Sequence, residues 1–199
     1  MVKRDDDRPT LVALVDSSRC VSCGICAGSC APMGVGPPGR TGRDQLAALR
    51  DTMTPSYENS RRIVAICCQN AASHEPIQAR GAHVHTVTCA GNLHSSVVER
   101  FLRNGAPGVI VFTCPARDCA GREGPKWLDQ RLFHDREAEL PARVDRRRVR
   151  VATLARGQVY AALAEYETFA ADVAAIPLPG ETLEEYEPVC DPVPAASDA

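Results

Sequence analysis

An α/β fold, a small parallel sheet of about four strands with flanking helices preceded by a cysteine-rich loop, is predicted by three observations. From about Arg61 onward, short β-branched runs alternate with longer amphipathic segments. Their spacing suits parallel strands joined by right-handed helical crossovers. Cysteines recur where the β-branched runs end, at the edge where open α/β folds build their sites.

In chain order, "TLVALVDSSRC" opens with a short apolar run that reads as a strand, and the stretch "CVSCGICAGSCAP" (20–32) follows at once. "MGVGPPGRTG" (33–42) then breaks the chain as a linker. Its Gly34, Gly36 and Gly39 have the GxGxxG spacing of a dinucleotide loop, but the chemistry fails. Pro37 and Pro38 remove two N–H donors, and no apolar strand immediately precedes the first glycine. "RIVAICC" (62–68), "HVHTVTC" (83–89), "GVIVFTC" (108–114) and "RVRVATL" (148–154) are the predicted strands. Helices are predicted near 73–80, over 95–105 with Gly105 as the C-cap, over 125–140 and over 157–175. The tail, 177–199, holds six acids and five prolines but neither Lys nor Arg, and reads as extended. The chain thus divides into a Cys-rich segment at 1–40, a linker and helix at 41–60, the α/β unit at 61–176 and the acidic tail.

Composition excludes whole classes of function. A formal charge of -2 supplies no field for a nucleic-acid backbone, and the arginines are spread over several segments. The start "MVKRDDDRPT" is charged where a signal peptide needs an apolar core, and no apolar run nears the roughly 18 residues of a membrane span. A cytoplasmic protein is expected, reaching a membrane only through a partner. Nothing resembles a Ser-His-Asp set, a phosphate loop or paired carboxylates, so no substrate site of its own is expected. Ten cysteines in a reducing compartment point to metal ligation or redox chemistry, because disulfides are rare there.

Cys67/Cys68, Cys89 and Cys114 each end a predicted strand, and Cys119 lies five residues beyond the last of them. Parallel strands emerge at one edge, so these thiols converge. Clustered thiolates need a cation to withdraw their charge, which indicates a metal. Adjacent strand residues point to opposite faces, so only one of Cys67 and Cys68 faces that site. In the N-terminal stretch, Cys20, Cys23, Cys26 and Cys30 stand at spacings of three, three and four, with Pro32 beyond. In two-cluster ferredoxins the first three cysteines of such a run hold one cluster and the fourth reaches a second. Cys20, Cys23 and Cys26 are therefore predicted ligands of a 4Fe-4S cluster, with Gly24 permitting the tight turn of amides around it. The fourth ligand is open: Cys30 folding back, Cys190 arriving from the tail, or a cysteine of a partner subunit. "VCDPV" is the only remote cysteine near a proline outside the strand-edge site, which favours Cys190 over Cys30. Zinc also accepts four thiolates, and spacing alone does not exclude it. The N-terminal run is far more specific for iron–sulfur chemistry, which makes that the stronger reading.

The segment "CAGNLHSSVVERFLRNGAPGVIVFTCPARDCAGREG" (89–124) resembles the delta subunit of methyl-viologen-reducing hydrogenase, a family of small iron–sulfur proteins. Such proteins link hydrogenase modules to heterodisulfide-reductase-type flavoproteins. The similarity rests on Cys89-Ala90-Gly91, on the helix ending in Gly105-Ala106, and on the Cys-x4-Cys loop from Cys114 to Cys119 with Asp118 inside it, and it covers about Arg61 to Ile176. The resemblance implies a 2Fe-2S cluster on Cys68, Cys89, Cys114 and Cys119, with Cys68 preferred to Cys67 by register with the family. One departure stands out: where the family has Cys-x-x-Cys after its first strand, Ala71 follows Cys68 at the third position. The resemblance further implies partners among the flavoprotein, hydrogenase or heterodisulfide-reductase-like subunits of a redox complex. The expected function is to relay single electrons between such modules. Two rivals are a zinc-holding structural scaffold and a redox sensor whose cluster or thiols report oxygen.

The remaining candidates read as ordinary. His74, His83, His85, His94 and His134 show no ligand pattern and are expected at the surface. Arg143, Arg146, Arg147, Arg148 and Arg150 are expected to form a solvated turn and strand start, or to steer an acidic redox partner.

Overall fold

The computed structural model describes residues 15–52, 61–121 and 123–177. Four strands form, β1 Val64–Cys68, β2 His83–Val87, β3 Val109–Thr113 and β4 Val149–Thr153, all parallel and in the order β2-β1-β3-β4. The α/β class and the four-stranded parallel sheet are as the sequence predicts. Strands β1 and β3 are apolar except for Thr113 and buried at every position, as the middle of a sheet covered on both faces requires. The edge strands β2 and β4 are only partly buried. The apolar run opening at Thr10 falls almost wholly outside the described residues, and so does the tail beyond Pro177 with Cys190.

The described residues form six α-helices, of which α1 Ile25–Gly28 and α2 Gly42–Thr52 precede β1, α3 Glu75–Ala79, α4 Ser95–Arg103 and α5 Gly124–Phe133 join the strands, and α6 Val159–Ala174 follows β4. Helices α3 and α6 pack together, with α6 against β3 and β4, while α4 packs on β3 and carries α2. Helix α2 opens with a capping box: Asp44 Oδ2 accepts from the Thr41 N–H and hydroxyl, and the Asp44 N–H donates back to Thr41 Oγ1. Helix α4 ends as expected, with Gly105 at φ +93 and the N–H groups of Gly105 and Ala106 donating to Leu102 and Phe101 carbonyls.

Two expectations are corrected. Helix α5 stops at Phe133 and does not run on to 140. Asp135 and Ala138 take positive φ values, the chain folds back, and the Leu140 N–H donates to the Arg131 carbonyl so that Leu140 is fully buried. Within the arginine patch Arg143 and Arg147 are exposed, as a solvated turn requires, but Arg148 is not. Arg148 is buried and donates to the Pro107 and Ile176 carbonyls at 2.7 and 3.4 Å, and to Pro177 as well, closing the end of α6 onto the start of β3. Arg143 pairs with buried Glu99 at 2.6 Å, and Arg150 reaches Asp172 at 2.6 Å across the Phe169 ring.

A cavity of about 590 Å³ lies at the amino edge of the sheet, between α4, the start of β3 and Arg143–Arg148. It contains none of the cysteines. No helix among the described residues is long and apolar enough to cross a membrane.

Candidate metal centre

The strand order reverses about β1, with β2 on one side and β3 on the other. The crevice outside the carboxyl ends of such strands is where open α/β sheets place their sites. Cys68 is the last residue of β1, Cys89 follows β2, and Cys114 immediately follows β3. Pro115 then opens a 3-10 turn, Ala116–Asp118, in which the Asp118 and Cys119 N–H groups donate to the Pro115 and Ala116 carbonyls at 3.0 and 3.3 Å. That turn brings Cys119 back to the same edge.

Glycines make room for these sulfurs. A Cβ on Gly124, at the start of α5, would stand 2.8 Å from Cys89 Sγ and 3.4 Å from Cys119 Sγ, so the two sulfurs flank one small space. A Cβ on Gly121 would stand 2.8 Å from Cys89 Sγ and 3.3 Å from Cys23 Cβ. Gly91 in turn lies backbone to backbone on Gly124, where a Cβ would meet the Gly124 Cα at 2.5 Å.

Thiol electrostatics report the same neighbourhood. Burial pushes the Cys114 thiol up to about 12, and Cys68 and Cys119 push it the same way. Burial likewise pushes Cys89 up to about 11, opposed by the Gly91 backbone and reinforced by Cys119, Cys68 and Cys23. Cys68 and Cys119 therefore act on both Cys89 and Cys114. Cys67 is pushed up to about 12 by burial and by Cys68 alone, and its sulfur faces the Ala65 carbonyl at 3.8 Å. Cys68, whose sulfur lies 3.8 Å from the Thr88 carbonyl, is the member of that pair that meets the others.

Thiols buried this deeply keep their protons at neutral pH unless a metal supplies positive charge. Four sulfur donors around a cradle walled by glycine backbone fit a group with thiolate ligands. Among the described residues no three His, Cys, Asp or Glu donors close on one point to hold a single ion.

The N-terminal run docks onto this edge. Cys20 and Cys26 are exposed, Cys23 and Cys30 half-buried, and Cys23 lies beside Gly121 and acts on Cys89. Gly24 takes φ +78 at the start of α1, where a Cβ would also run into the Asn92 amide at 2.7 Å. Asn92 Nδ2 donates to the Gly24 and Arg40 carbonyls at 3.1 and 3.0 Å, and Arg40 donates to the Ser22 carbonyl at 2.9 Å. Gln45 clasps the turn after Cys89, donating to the Asn92 carbonyl at 2.9 Å and accepting from the His94 N–H at 3.0 Å.

His94 is not the surface histidine the sequence suggests; it is 3% exposed. Its Nδ1 accepts the Ser96 N–H at 3.1 Å, which leaves Nε2 to donate to the Cys30 carbonyl at 3.3 Å. His83 and His85 rest against the Phe101 ring, away from the carboxyl edge.

One residue of this region escapes sequence reasoning entirely. Arg131, on α5, is 0% exposed; it donates to the Gly91 and Leu93 carbonyls at 2.9 and 3.1 Å and to Ser29 Oγ at 3.2 Å. Its Nε N–H finds no acceptor among the described residues. Burial lowers its pKa to about 10, an effect that Cys89 opposes. The one signal available was its place on the buried stripe of α5, seven residues after Gly124 and three after Leu128.

A family model described as methyl-viologen-reducing hydrogenase, delta subunit, matches residues 63–176 of this chain. The matched span holds all four strands and Cys68, Cys89, Cys114 and Cys119, and it omits the N-terminal cysteine run. No curated protein matches the chain.

Proposed function

The chain belongs to the methyl-viologen-reducing hydrogenase delta subunit family, and from that premise we propose that it is an iron–sulfur electron-transfer subunit relaying single electrons between modules of a redox complex. Its partners are hydrogenase, flavoprotein or heterodisulfide-reductase-like subunits, met in the cytoplasm. Cys68, Cys89, Cys114 and Cys119 hold a 2Fe-2S cluster, and Cys20, Cys23 and Cys26 hold a 4Fe-4S cluster whose fourth ligand is Cys190 or Cys30. When bound, each cluster accepts and gives up one electron at a time.

The observation that carries this reading is the gathering of four cysteines at the carboxyl edge, where Cys68 and Cys119 act on both Cys89 and Cys114, with Cys23 of the second set beside Cys89. The protein's residues supply burial, amide donors and a fixed separation between two ligand sets. Those are the means by which a protein sets a cluster's potential.

Anaerobically purified protein should contain iron and acid-labile sulfide and give two electron paramagnetic resonance signals that return after a reduction and reoxidation cycle. Cys114→Ser should remove the strand-edge signal and leave the N-terminal one. Colourless protein containing zinc without iron would sink the proposal. Signals that decay on the first cycle would identify a sensor instead.

A further inference from the structure

Arg131 is a buried cation whose hydrogen bonds all go to neutral groups: two carbonyls of the turn after Cys89 and the hydroxyl of Ser29. Among the described residues no carboxylate pairs with it, and the charged groups that act on it are Cys89 and Arg136. A guanidinium keeps its charge in a protein, and burying one without an anion costs several kcal/mol. Carbonyl dipoles offset only part of that, and the Nε N–H is left without an acceptor. The anion that completes the balance must come from the side where Cys89 lies.

The location is deliberate in its geometry. A Cβ on Gly28, between Cys26 and Cys30, would stand 2.6 Å from Arg131 Nη2 and 2.9 Å from Cζ, so α1 admits the guanidinium only because residue 28 has no side chain. The fork therefore sits between the backbone of the N-terminal cysteine run and the turn that carries Cys89.

We propose that Arg131 is the counter-charge of the strand-edge site, stabilising the negative charge that arrives there with an electron and so holding that site's reduction potential up. This rests on the iron–sulfur reading above. Four thiolates around a cluster leave a net negative charge, which grows by one when a one-electron donor reduces it; no bond forms or breaks. A fixed cation in a low-dielectric setting favours the more negative state. Arg131 acts on the potential without ligating, and its fork also ties the two ligand sets together.

The test is a redox titration of the full-length protein, using dithionite and mediator dyes with the strand-edge resonance signal as readout. Arg131→Gln and Arg131→Lys are compared with the unaltered chain. Loss of charge in Arg131→Gln should move the midpoint to more negative values by at least a tenfold change in electron partition, 59 mV for a one-electron couple. Arg131→Lys keeps the charge without the fork and should stay within threefold. Equal shifts in the two variants, or no shift in Arg131→Gln, would overturn the proposal and leave Arg131 a packing residue. Should Arg131→Gln fail to load iron, Arg131→Lys decides: loaded protein at the unaltered midpoint supports the counter-charge, and failure to load overturns it. Unaltered protein without iron would instead refute the iron–sulfur reading, which keeps the two failures apart.

Discussion

Gly124 carries more of the site than its lack of a side chain suggests. Its α-carbon abuts Gly91, and the space where a Cβ would stand is bounded by Cys89 Sγ at 2.8 Å and Cys119 Sγ at 3.4 Å. A Cβ in Gly124→Ala would press on Cys89 Sγ at 2.8 Å with the Gly91 backbone N at 3.2 Å beside it, so the sulfur itself must be displaced. That variant should lose most of the strand-edge iron and about 1–3 kcal/mol of stability, as overpacking does. Iron analysis and chemical unfolding would check both, and full retention of strand-edge iron would refute the cradle. Cys67 and Cys68 separate by the same logic of orientation. Cys67→Ala should keep the strand-edge iron that Cys68→Ala loses, since Cys67 meets only Cys68 while Cys68 also acts on Cys89 and Cys114. Retention of strand-edge iron by Cys68→Ala would contradict the register. The cysteines were legible because strand ends in a parallel sheet coincide in space, which a linear pattern reveals. Arg131 and His94 were not, because a charged residue inside an amphipathic helix and a histidine before one look like surface positions until a remote segment covers them.

At the scale of elements, the central strands β1 and β3 were legible because runs buried on both faces leave no polar alternation to misread, and the edge strands β2 and β4 because their β-branched residues alternate with polar ones. The end of α5 was not. Leu140 continues the apolar pattern, but its burial comes from the turn at Asp135 and Ala138 that folds the chain back to the Arg131 carbonyl. Periodicity records which residues are buried and is silent on the route the backbone takes to bury them. Helix α2 shows the opposite case, where a local device is decisive. The side-chain hydrogen bond from Thr41, aided by its backbone N–H, holds the Asp44 carboxyl below its ordinary 3.8. A depressed carboxylate contributes stability above its unfolded pKa and loses it as pH falls through the folded value. Near neutral pH the native chain should therefore melt higher than Asp44→Asn, and the gap should close well below pH 3.8. Comparing the two chains at each pH removes any acid loss of metal common to both, and a gap that persisted at low pH would show the carboxylate is not its source.

On the scale of the whole molecule, the N-terminal run and the sheet edge form one docked unit. The sequence suggests separate segments because the links between them join distant residues: Ser29 and Arg131 stand 102 positions apart, Gly24 and Asn92 68, and Cys30 and His94 64. No local pattern encodes contacts of that range. For the proposed relay the docking matters because it sets Cys23 against the glycine-walled space beside Cys89, and the distance between two redox groups would govern electron transfer between them. Asn92 is the residue on which this docking leans most directly, since its amide serves Gly24 and Arg40 at once. Asn92→Ala would remove one hydrogen bond from each of two carbonyls, about 0.5–1.5 kcal/mol apiece, while the Gly24 carbonyl keeps the Ala27 and Gly28 N–H groups and the Arg40 carbonyl keeps Gln45. The α/β core keeps its own contacts, so the loss should appear as local opening of the docked loop and not as global unfolding. Amides that protect the loop internally, those of Ala27, Gly28 and Met33, should then exchange at least tenfold faster, about 1.4 kcal/mol of lost protection. Amides of β1 and β3 should exchange at the rate of the unaltered chain. Acceleration spread equally over loop and sheet would mean that the two unfold as one cooperative body, and unchanged exchange in the loop would mean that Arg131, His94 and Gln45 hold it without Asn92.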